Sequence, residues 1–422
     1  METISYLLMT AFLLLGGPLF LVMAGFAFFL FYFEEIGIAS VGIEIYRLAE
    51  APTIMTIPLF TFAGYLMAES NSPKRLLALA NGALGWIPGG VAIVSLLICA
   101  FFTAFTGASG VTIIALGGLL YPMLREKGYD ENFSLGLMTT SGSLGLLFPP
   151  SLPLILYGIV AKVSIDQLFI AGLVPGFLLI LVLSLYAYKK AGARRAQMRT
   201  PFSVDRLKSS LHEARFELPL PVMILGGIYG GLLTITEAAT VTVVYVLFME
   251  CFLYKDLDFK KDVPKIMSES MTLVGAILLI LACALGVTNY LVDEEIPMLI
   301  LEKMQGLISD KWVFLLVLNL FLLVVGAMMD IFSAIVVVLP LILPLAEQFG
   351  VHPIHLAVIF LTNLEIGYIT PPVGINLFIA SFRFDRSVLT LYRASFPYLI
   401  LLLFCLVLIT YIPEISLFWL NE

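Results

Sequence analysis

The sequence predicts an all-α polytopic membrane protein made of two inverted-topology repeats, each with a re-entrant hairpin and a broken helix. Three observations lead there: long uncharged runs, a self-match at an offset of half the chain, and Gly and Pro placed inside the most apolar segments. Of 422 residues, 60% are hydrophobic and 13% charged, and the mean hydropathy is +1.04. Such values lie far outside the soluble globular range.

Residues 4–33, 76–124, 132–161, 167–188, 270–292 and 394–413 hold no Asp, Glu, Lys or Arg. Each run is about 20 residues or longer, enough for a helix to cross a ~30 Å hydrocarbon layer. The short alternating segments of an outer-membrane barrel are absent. The start, METISYLLMT, has no basic region and no small-residue cleavage site, so the first apolar run is expected to stay in place. Cys99, Cys251, Cys283 and Cys405 are scattered through apolar stretches and read as buried thiols rather than a disulfide or metal framework. With a net charge of −7 and basic residues concentrated in one loop, no nucleic-acid partner is expected.

That loop, 188–215, carries eight of the 23 Lys and Arg residues and two acids, which puts it on the cytoplasmic side. It divides the chain nearly in half. At an offset of 222, Gly64 meets Gly286, Pro122 meets Pro344, Gly128 meets Gly350 and Gly145 meets Gly367; Pro149, Pro150 and Pro175 meet Pro371, Pro372 and Pro397. Composition alone would give about two such matches. The predicted organisation is therefore a first repeat over 1–190 with hairpin 88–124 and broken helix 132–161, a basic cytoplasmic loop over 191–215, and a second repeat over 216–422 with hairpin 311–346 and broken helix 354–383.

Counting crossings outward from the basic loop orients the halves. REKGYDE (125–131) falls in the cytoplasm, whereas its counterpart EQFGVHPIH (347–355), without Lys or Arg, falls outside; KDLDFKKDVPK (255–265) is cytoplasmic and DEEIP (293–297) external. Equivalent loops on opposite faces are the mark of an inverted repeat. The parity requires both hairpins to enter and leave on one side, with tips at FTGASGVT (105–112) and VGAMMDIFS (325–333). Irregular backbone at membrane depth survives only when protein or a watery cavity covers it, so two small-residue tips near the midplane imply a polar site.

SGSLGLLFPPS (141–151) and GYITPPVG (367–374) interrupt apolar segments at matching positions. Proline lacks an N–H, clashes with the turn before it and restricts its neighbour, so each Pro-Pro pair frees carbonyls. Free carbonyls and half-helix C-termini suit a hard cation such as Na⁺, and half-helix N-termini suit an anion. Glu237, Asp330 and Glu365 lie inside apolar runs and are functional candidates on that ground. Asp330 sits at a hairpin tip and is read as a site residue. Glu365 opens the unwound stretch, where it either orders N–H groups or serves the site, and Glu237 is read as a helix cap. With no Lys or Arg in these segments, an anion would rely on helix N-termini and on hydroxyls such as Ser109, Thr112 and Ser151. HPIH (352–355) is read as a solvated loop, GLISDKW (306–312) has no neighbouring His for a triad, and no phosphate-cradling GxxxxGK[ST] occurs. No enzymatic role, catalytic residue or organic cofactor is expected.

IPLFTFAGYLM (57–67), FTGASGVT, GYDENFSLGLMTTSGSLGLLFPPSLPLILYG (128–158), TITEAA (234–239) and NLEIGYITPPVGINLF (363–378) together resemble the large membrane (M) subunit of tripartite ATP-independent periplasmic (TRAP) transporters, over nearly the whole chain. The resemblance implies the ion-transporter-superfamily fold, a scaffold with a mobile transport domain, an elevator mechanism, and Na⁺-coupled import of organic acids such as C4-dicarboxylates or sialic acid across the bacterial inner membrane. It further implies a periplasmic substrate-binding protein (P subunit) and a small membrane (Q) subunit, expected here as a separate chain, all within membrane lipid. Carried over, one Na⁺ site falls on Gly107, Ser109, Ser141, Gly142 and Gly145, a second on Gly326, Asp330, Gly367 and Thr370, and substrate near Ser109, Ser151 and Asp330. Two departures are Gly110, where many relatives carry a second small polar residue, and Ile235, where Pro is common. The competing expectations are a stand-alone proton- or Na⁺-coupled anion exchanger of the same superfamily, with Asp330 or Glu365 as the proton carrier, and a non-transporting membrane scaffold.

Overall fold

The computed structural model describes residues 19–33, 52–191, 202–294 and 310–420, with Met9, Ala11, Phe12, Tyr46 and Glu50, and the described residues contain helices and no strand. Most of the first apolar run before residue 19, the centre of the basic loop (192–201) and the last three residues of DEEIP lie outside them. In chain order the helices are α1 (Leu19–Phe33), α2 (Thr56–Glu69), α3 (Ser72–Leu84), α4 (Gly90–Thr106), α5 (Ser109–Glu126), α6 (Glu131–Ser141) and α7 (Leu152–Ala161). There follow α8 (Ile165–Ala191), α9 (Val204–Glu213), α10 (Pro219–Tyr229), α11 (Ile235–Phe248), α12 (Asp262–Asp293) and α13 (Lys311–Met328). The chain continues through α14 (Ile331–Val337), α15 (Leu339–Gln348), α16 (Pro353–Gly367), α17 (Ile375–Phe384), α18 (Val388–Tyr411) and the short α19 (Glu414–Leu417).

Five of these elements are long and apolar enough to cross a membrane: α8, α11 with its π-helical end Met249–Leu253, the 262–284 part of α12, α13 and α18. Two bent pairs qualify together. α6 and α7 meet at 44° across the Leu144–Leu147 turn and Pro149-Pro150, and α14 and α15 meet at 60°. The second bend sits just before Pro340, which has no N–H to give to the turn above it. The chain is a multi-pass membrane protein.

Local chemistry sets the ends of these helices. Asp130 accepts the Phe133 N–H at the start of α6, Asp310 accepts the Trp312 N–H at the start of α13, and Ser387 accepts the Thr390 N–H at the start of α18. Thr234 and Glu237 form a reciprocal capping box on α11, so Glu237 is the cap that its position predicts. Both hairpins appear where the small-residue tips place them: α4 turns into α5 at Gly107-Ala108, and α13 turns into α14 at Met329-Asp330. At the first turn Gly107 adopts φ +65° and its N–H closes on Thr103 O at 2.8 Å. A Cβ there would meet Leu152 Cβ at 2.5 Å, so both conformation and space demand glycine. Cys99, Cys283 and Cys405 are buried free thiols and Cys251 is half-buried.

Packing interleaves the two halves. α1 lies on α12, and α2 lies between α11 and α12, while α18 crosses α6 and α17 crosses α5. α8 runs through the middle against α4, α7, α16 and α18. The α6/α18 crossing is so close that a Cβ on Gly136 would come 2.6 Å from Tyr398 Cε2 and overlap the backbone at Ala394. Beside it, fully buried Tyr398 donates its hydroxyl to Phe133 O at 2.8 Å. Gly136→Ala is therefore expected to cost about 1–3 kcal/mol by overpacking. Gly275→Ala, on α12 with nothing within 4 Å of the new methyl, is expected to stabilise by about 0.4–1 kcal/mol through helix propensity and the unfolded chain. Thermal melts of the two variants in detergent should move in opposite directions.

Candidate functional site

Each hairpin tip docks on the break of its own half. In the first half the 142–151 stretch leaves α6, makes the short Leu144–Leu147 turn and passes a cis Pro149-Pro150 bond before Ser151 caps α7. The tip closes over it. A Cβ on Gly142 would lie 3.2 Å from Ser109 O, and one on Gly145 would lie 2.5 Å from Ala104 N, so the break and hairpin approach backbone to backbone. Thr103, on the incoming leg, sits at 2.8 Å from Gly142 O and 2.7 Å from Thr112 Oγ1, with Cys99 O also at 2.8 Å.

The second half repeats this arrangement. A Cβ on Gly367 would lie 2.6 Å from Gly326 Cα, and one on Gly326 would lie 2.8 Å from Leu364 Cα. The carbonyl of Ala327, at the end of the hairpin's incoming leg, accepts the N–H groups of Val373 (3.2 Å) and Gly374 (3.0 Å) just after a cis Pro371-Pro372 bond. Ile331 N–H donates to Tyr368 Oη at 2.7 Å. The unwound backbone of each break is thus partly satisfied by the hairpin that covers it, as membrane depth requires.

Of the expected first cation set, Gly107, Ser109, Ser141, Gly142 and Gly145 all lie on the tip and break that meet. Ser109 is buried and begins α5, and Ser141 ends α6. Of the second set, Gly326, Gly367 and Thr370 lie at the equivalent contact, with Thr370 Oγ1 donating to Ile366 O at 2.9 Å. Asp330 caps α14: Oδ1 accepts the Phe332 and Ser333 N–H groups at 3.0 Å and Oδ2 accepts the Ser333 hydroxyl. Ser151, wholly buried, donates to Leu146 O and accepts weakly from Leu154 N–H, so its hydroxyl shapes the break itself. Among the described residues no cluster of three or more His, Cys, Asp or Glu is arranged to hold a metal. Both contacts present carbonyl and hydroxyl oxygens, and the second adds the Asp330 carboxylate at its tip, the all-oxygen kind of donor set that hard cations take.

Two expectations need correction. Glu365 does not order the N–H groups of the unwound stretch: it lies inside the last turn of α16, wholly buried, and neither carboxyl oxygen has a hydrogen-bond partner. HPIH is not a solvated loop, because α16 starts at Pro353 and turns His355 into the interior, where its ring meets Ser416 Oγ at 2.7 Å and Thr410 O at 3.3 Å.

Some polar groups near the breaks were not among the expected site residues. Asn376, at the start of α17, reaches across to the first half, donating to Thr139 O at 3.2 Å and to Ser143 Oγ at 3.4 Å. Its Oδ1, Thr140 Oγ1 and Thr362 Oγ1 are buried without a partner. An amide inside an apolar run was a possible cue for Asn376, but its partners are more than 230 residues away in sequence. Thr103→Val, nearly isosteric, would leave Gly142 O and Thr112 without that hydroxyl. The expected loss is about 1–3 kcal/mol, read as a lowered melting temperature with unchanged helicity.

The profile of the family described as the tripartite ATP-independent periplasmic transporter, DctM component, matches residues 6–415. The chain is 37% identical over 385 residues to the C4-dicarboxylate TRAP transporter large permease protein DctM of Pseudomonas aeruginosa, covering 91% of this chain and 90% of that one. It is 31% identical over 369 residues to the sialic acid TRAP transporter large permease protein SiaM of Vibrio cholerae, covering 86% and 85%. It is 38% identical over 373 residues to the isethionate TRAP transporter permease protein DctMQ of Oleidesulfovibrio alaskensis, covering 87% of this chain and 58% of that longer one. In fold it is similar to the crystal structure of the YdaH transporter of Alcanivorax borkumensis, with a TM-score of 0.59 at 15% identity and coverage of 90% and 88%. Motifs, helical architecture and relatives agree, and the chain belongs to the DctM component, or large permease, family of TRAP transporters.

Proposed function

We propose that this chain is the permease of a Na⁺-coupled importer of organic acid anions in the bacterial inner membrane, moving its cargo by an elevator motion of the hairpins and broken helices against the α1, α2, α11 and α12 group. The observation that carries the reading is the paired docking of hairpin tip on broken helix, which gathers main-chain and hydroxyl oxygens at two equivalent places. The inverted orientation of the two halves, argued above from loop charge, belongs to the same proposal.

The cargo is a carboxylate or a related small acid. Its anionic groups would lie between the tips near Ser109, Ser151 and Asp330, with a bound cation screening the Asp330 carboxylate from the anion. Residues 312–382 and 131–161 carry no Lys or Arg, so bound cations, helix N-termini and hydroxyls would balance the substrate charge. With the cell interior negative, each negative charge entering costs ~2.3 kcal/mol per 100 mV, and each Na⁺ entering returns as much. A dianion therefore needs at least two Na⁺. Relatives described as C4-dicarboxylate and sialic acid permeases support this class of cargo. A periplasmic binding protein delivers the substrate, and a separate small membrane subunit completes the complex.

The first test is thermal unfolding of the purified chain in NaCl and KCl series at constant ionic strength. A ligand that binds only the folded state adds RT ln(1 + [L]/Kd), about 2.7 kcal/mol at a hundredfold excess over Kd. A saturable, Na⁺-selective rise is expected in the wild type. It should weaken in Asp330→Asn, which keeps the α14 cap and removes the charge. Coincident NaCl and KCl curves would overturn the coupling ion. In proteoliposomes, uptake should require both a Na⁺ gradient and the binding protein, and uptake without the binding protein would point to a stand-alone exchanger.

A further inference from the structure

Away from the hairpins, the first turn of α3 builds a shielded ion cluster. Arg75 donates through Nε to Glu217 Oε1, through Nη1 to Asp256 Oδ2 at 2.5 Å and through Nη2 to Glu250 Oε2 at 3.1 Å. The Glu217 and Glu250 side chains are fully buried, and Arg75 and Asp256 are 11% and 12% exposed. The guanidinium stacks 3.6 Å from the Tyr254 ring. Among the described residues no other cation pairs with these three carboxylates. The cluster joins the root of α3, the segment leading into α10, the π-helical end of α11 and the loop before α12.

The hydrogens in this cluster do not add up if every carboxyl is ionised. Ser72 Oγ lies 2.6 Å from Glu250 Oε1 and 3.0 Å from Glu217 Oε1, and it also accepts Arg75 Nη2 at 3.1 Å. A hydroxyl has one hydrogen, so it serves one of the two carboxyls and needs a donor from the other. Glu217 is already supplied as a carboxylate. Its Oε1 takes Arg75 Nε, and its Oε2 lies 2.7 Å from the Tyr254 hydroxyl, which also sits beside the Glu213 carbonyl. From Arg75, Glu250 receives Nη2 alone, divided between its two oxygens at 3.3 and 3.1 Å, and its other neighbours are the Ser72 and Ser70 hydroxyls. At 2.6 Å, its contact with Ser72 is a good O–H···O distance.

We propose that Glu250 is a proton-binding site: it holds one proton, donates it to Ser72 Oγ, and lets Ser72 donate in turn to the Glu217 carboxylate. The proton brings three carboxylates around one guanidinium closer to balance in a place water barely reaches. Asp256 keeps its charge. Burial pushes its carboxyl up, but the bonds from Arg75 and from Asn71 outweigh burial and hold it below the usual range. The groups acting on Glu250 are Ser72, Arg75, Ser70 and Asp256, and the half-buried thiol of Cys251 senses Glu250 together with Asp258 and Asp262. α3 runs on through Gly85 and Gly89 into the first hairpin leg α4, and the proton ties the start of α3 to the π-helical end of α11. The cluster lies beside the loop 255–265, on the face that the charge distribution assigns to the cytoplasm. The site does not depend on which ion couples transport.

The test follows the linkage sign. A proton held by the native state and released by the unfolded chain above the ordinary glutamate range makes stability fall as pH rises, until the native state releases it too. Unfolding midpoints of the full chain in detergent, from mildly acid to mildly alkaline pH at fixed Na⁺ and ionic strength, should fall for the wild type. Glu250→Gln keeps a donor toward Ser72 and should lose that fall, with the acid-side midpoint preserved. Glu217→Gln, which removes one of the two anions left facing Arg75, should lower the midpoint at every pH and keep the fall. Equal slopes in the wild type and Glu250→Gln would overturn the proposal, as would a slope removed by Glu217→Gln alone. If Glu250→Gln does not fold, the infrared carbonyl band of neutral carboxyls decides. Ser72→Ala should shift one component above the ordinary glutamate range, and an unshifted band would overturn the assignment.

Discussion

Everything in this fold follows from one constraint, the demand of backbone N–H and C=O groups for partners where no water is available. An unbroken helix meets it internally, and most of the chain obeys. At Pro149-Pro150 and Pro371-Pro372 the helix gives that up, so another part of the protein must replace the lost partners. In each half the replacement is the hairpin that precedes the break: Thr103 reaches Gly142 O in the first, and Ala327 O takes two N–H groups in the second. The hairpins lie where they do because they bring backbone and a hydroxyl to the unwound turns.

That solution dictates the residue types around it. Backbones close to van der Waals contact leave no room for Cβ atoms, which is why Gly145 and Gly367 face Ala104 and Gly326. The same closeness joins other elements: Gly64 of α2 abuts Thr106 N, where a Cβ would come within 2.7 Å, so the first tip is enclosed on a second side. Small residues, paired prolines and short polar side chains are consequences of one geometry. The oxygens that the breaks turn inward are the ones the proposed transport reading assigns to a cation, so the feature that threatens stability is the one that reading uses.

The acids divide by the same logic. Glu237 and Asp330 spend their oxygens on helix N-termini, where the first-turn N–H groups lack partners. Glu217, Glu250 and Asp256 gather round Arg75 and pin four segments together at one end of the bundle. Glu365 does neither, because α16 continues through it and leaves its buried carboxyl without a hydrogen-bond partner.

The sequence by itself determined the class of the protein, the approximate spans, the two hairpins, the two breaks and the glycines and prolines that mark them. These are local matters: hydropathy over about 20 residues, the missing N–H of proline, the missing Cβ of glycine. Glu237 as a cap was readable too, since the capping box lies within four consecutive residues. Only the tertiary structure decided which break lies under which tip, that Asn376 of one half bonds to Thr139 and Ser143 of the other, that His355 is buried, and that Arg75 collects acids from 142 to 181 positions away. Those contacts join residues that no local pattern relates, because helix packing, and not chain order, sets which side chains share the interior.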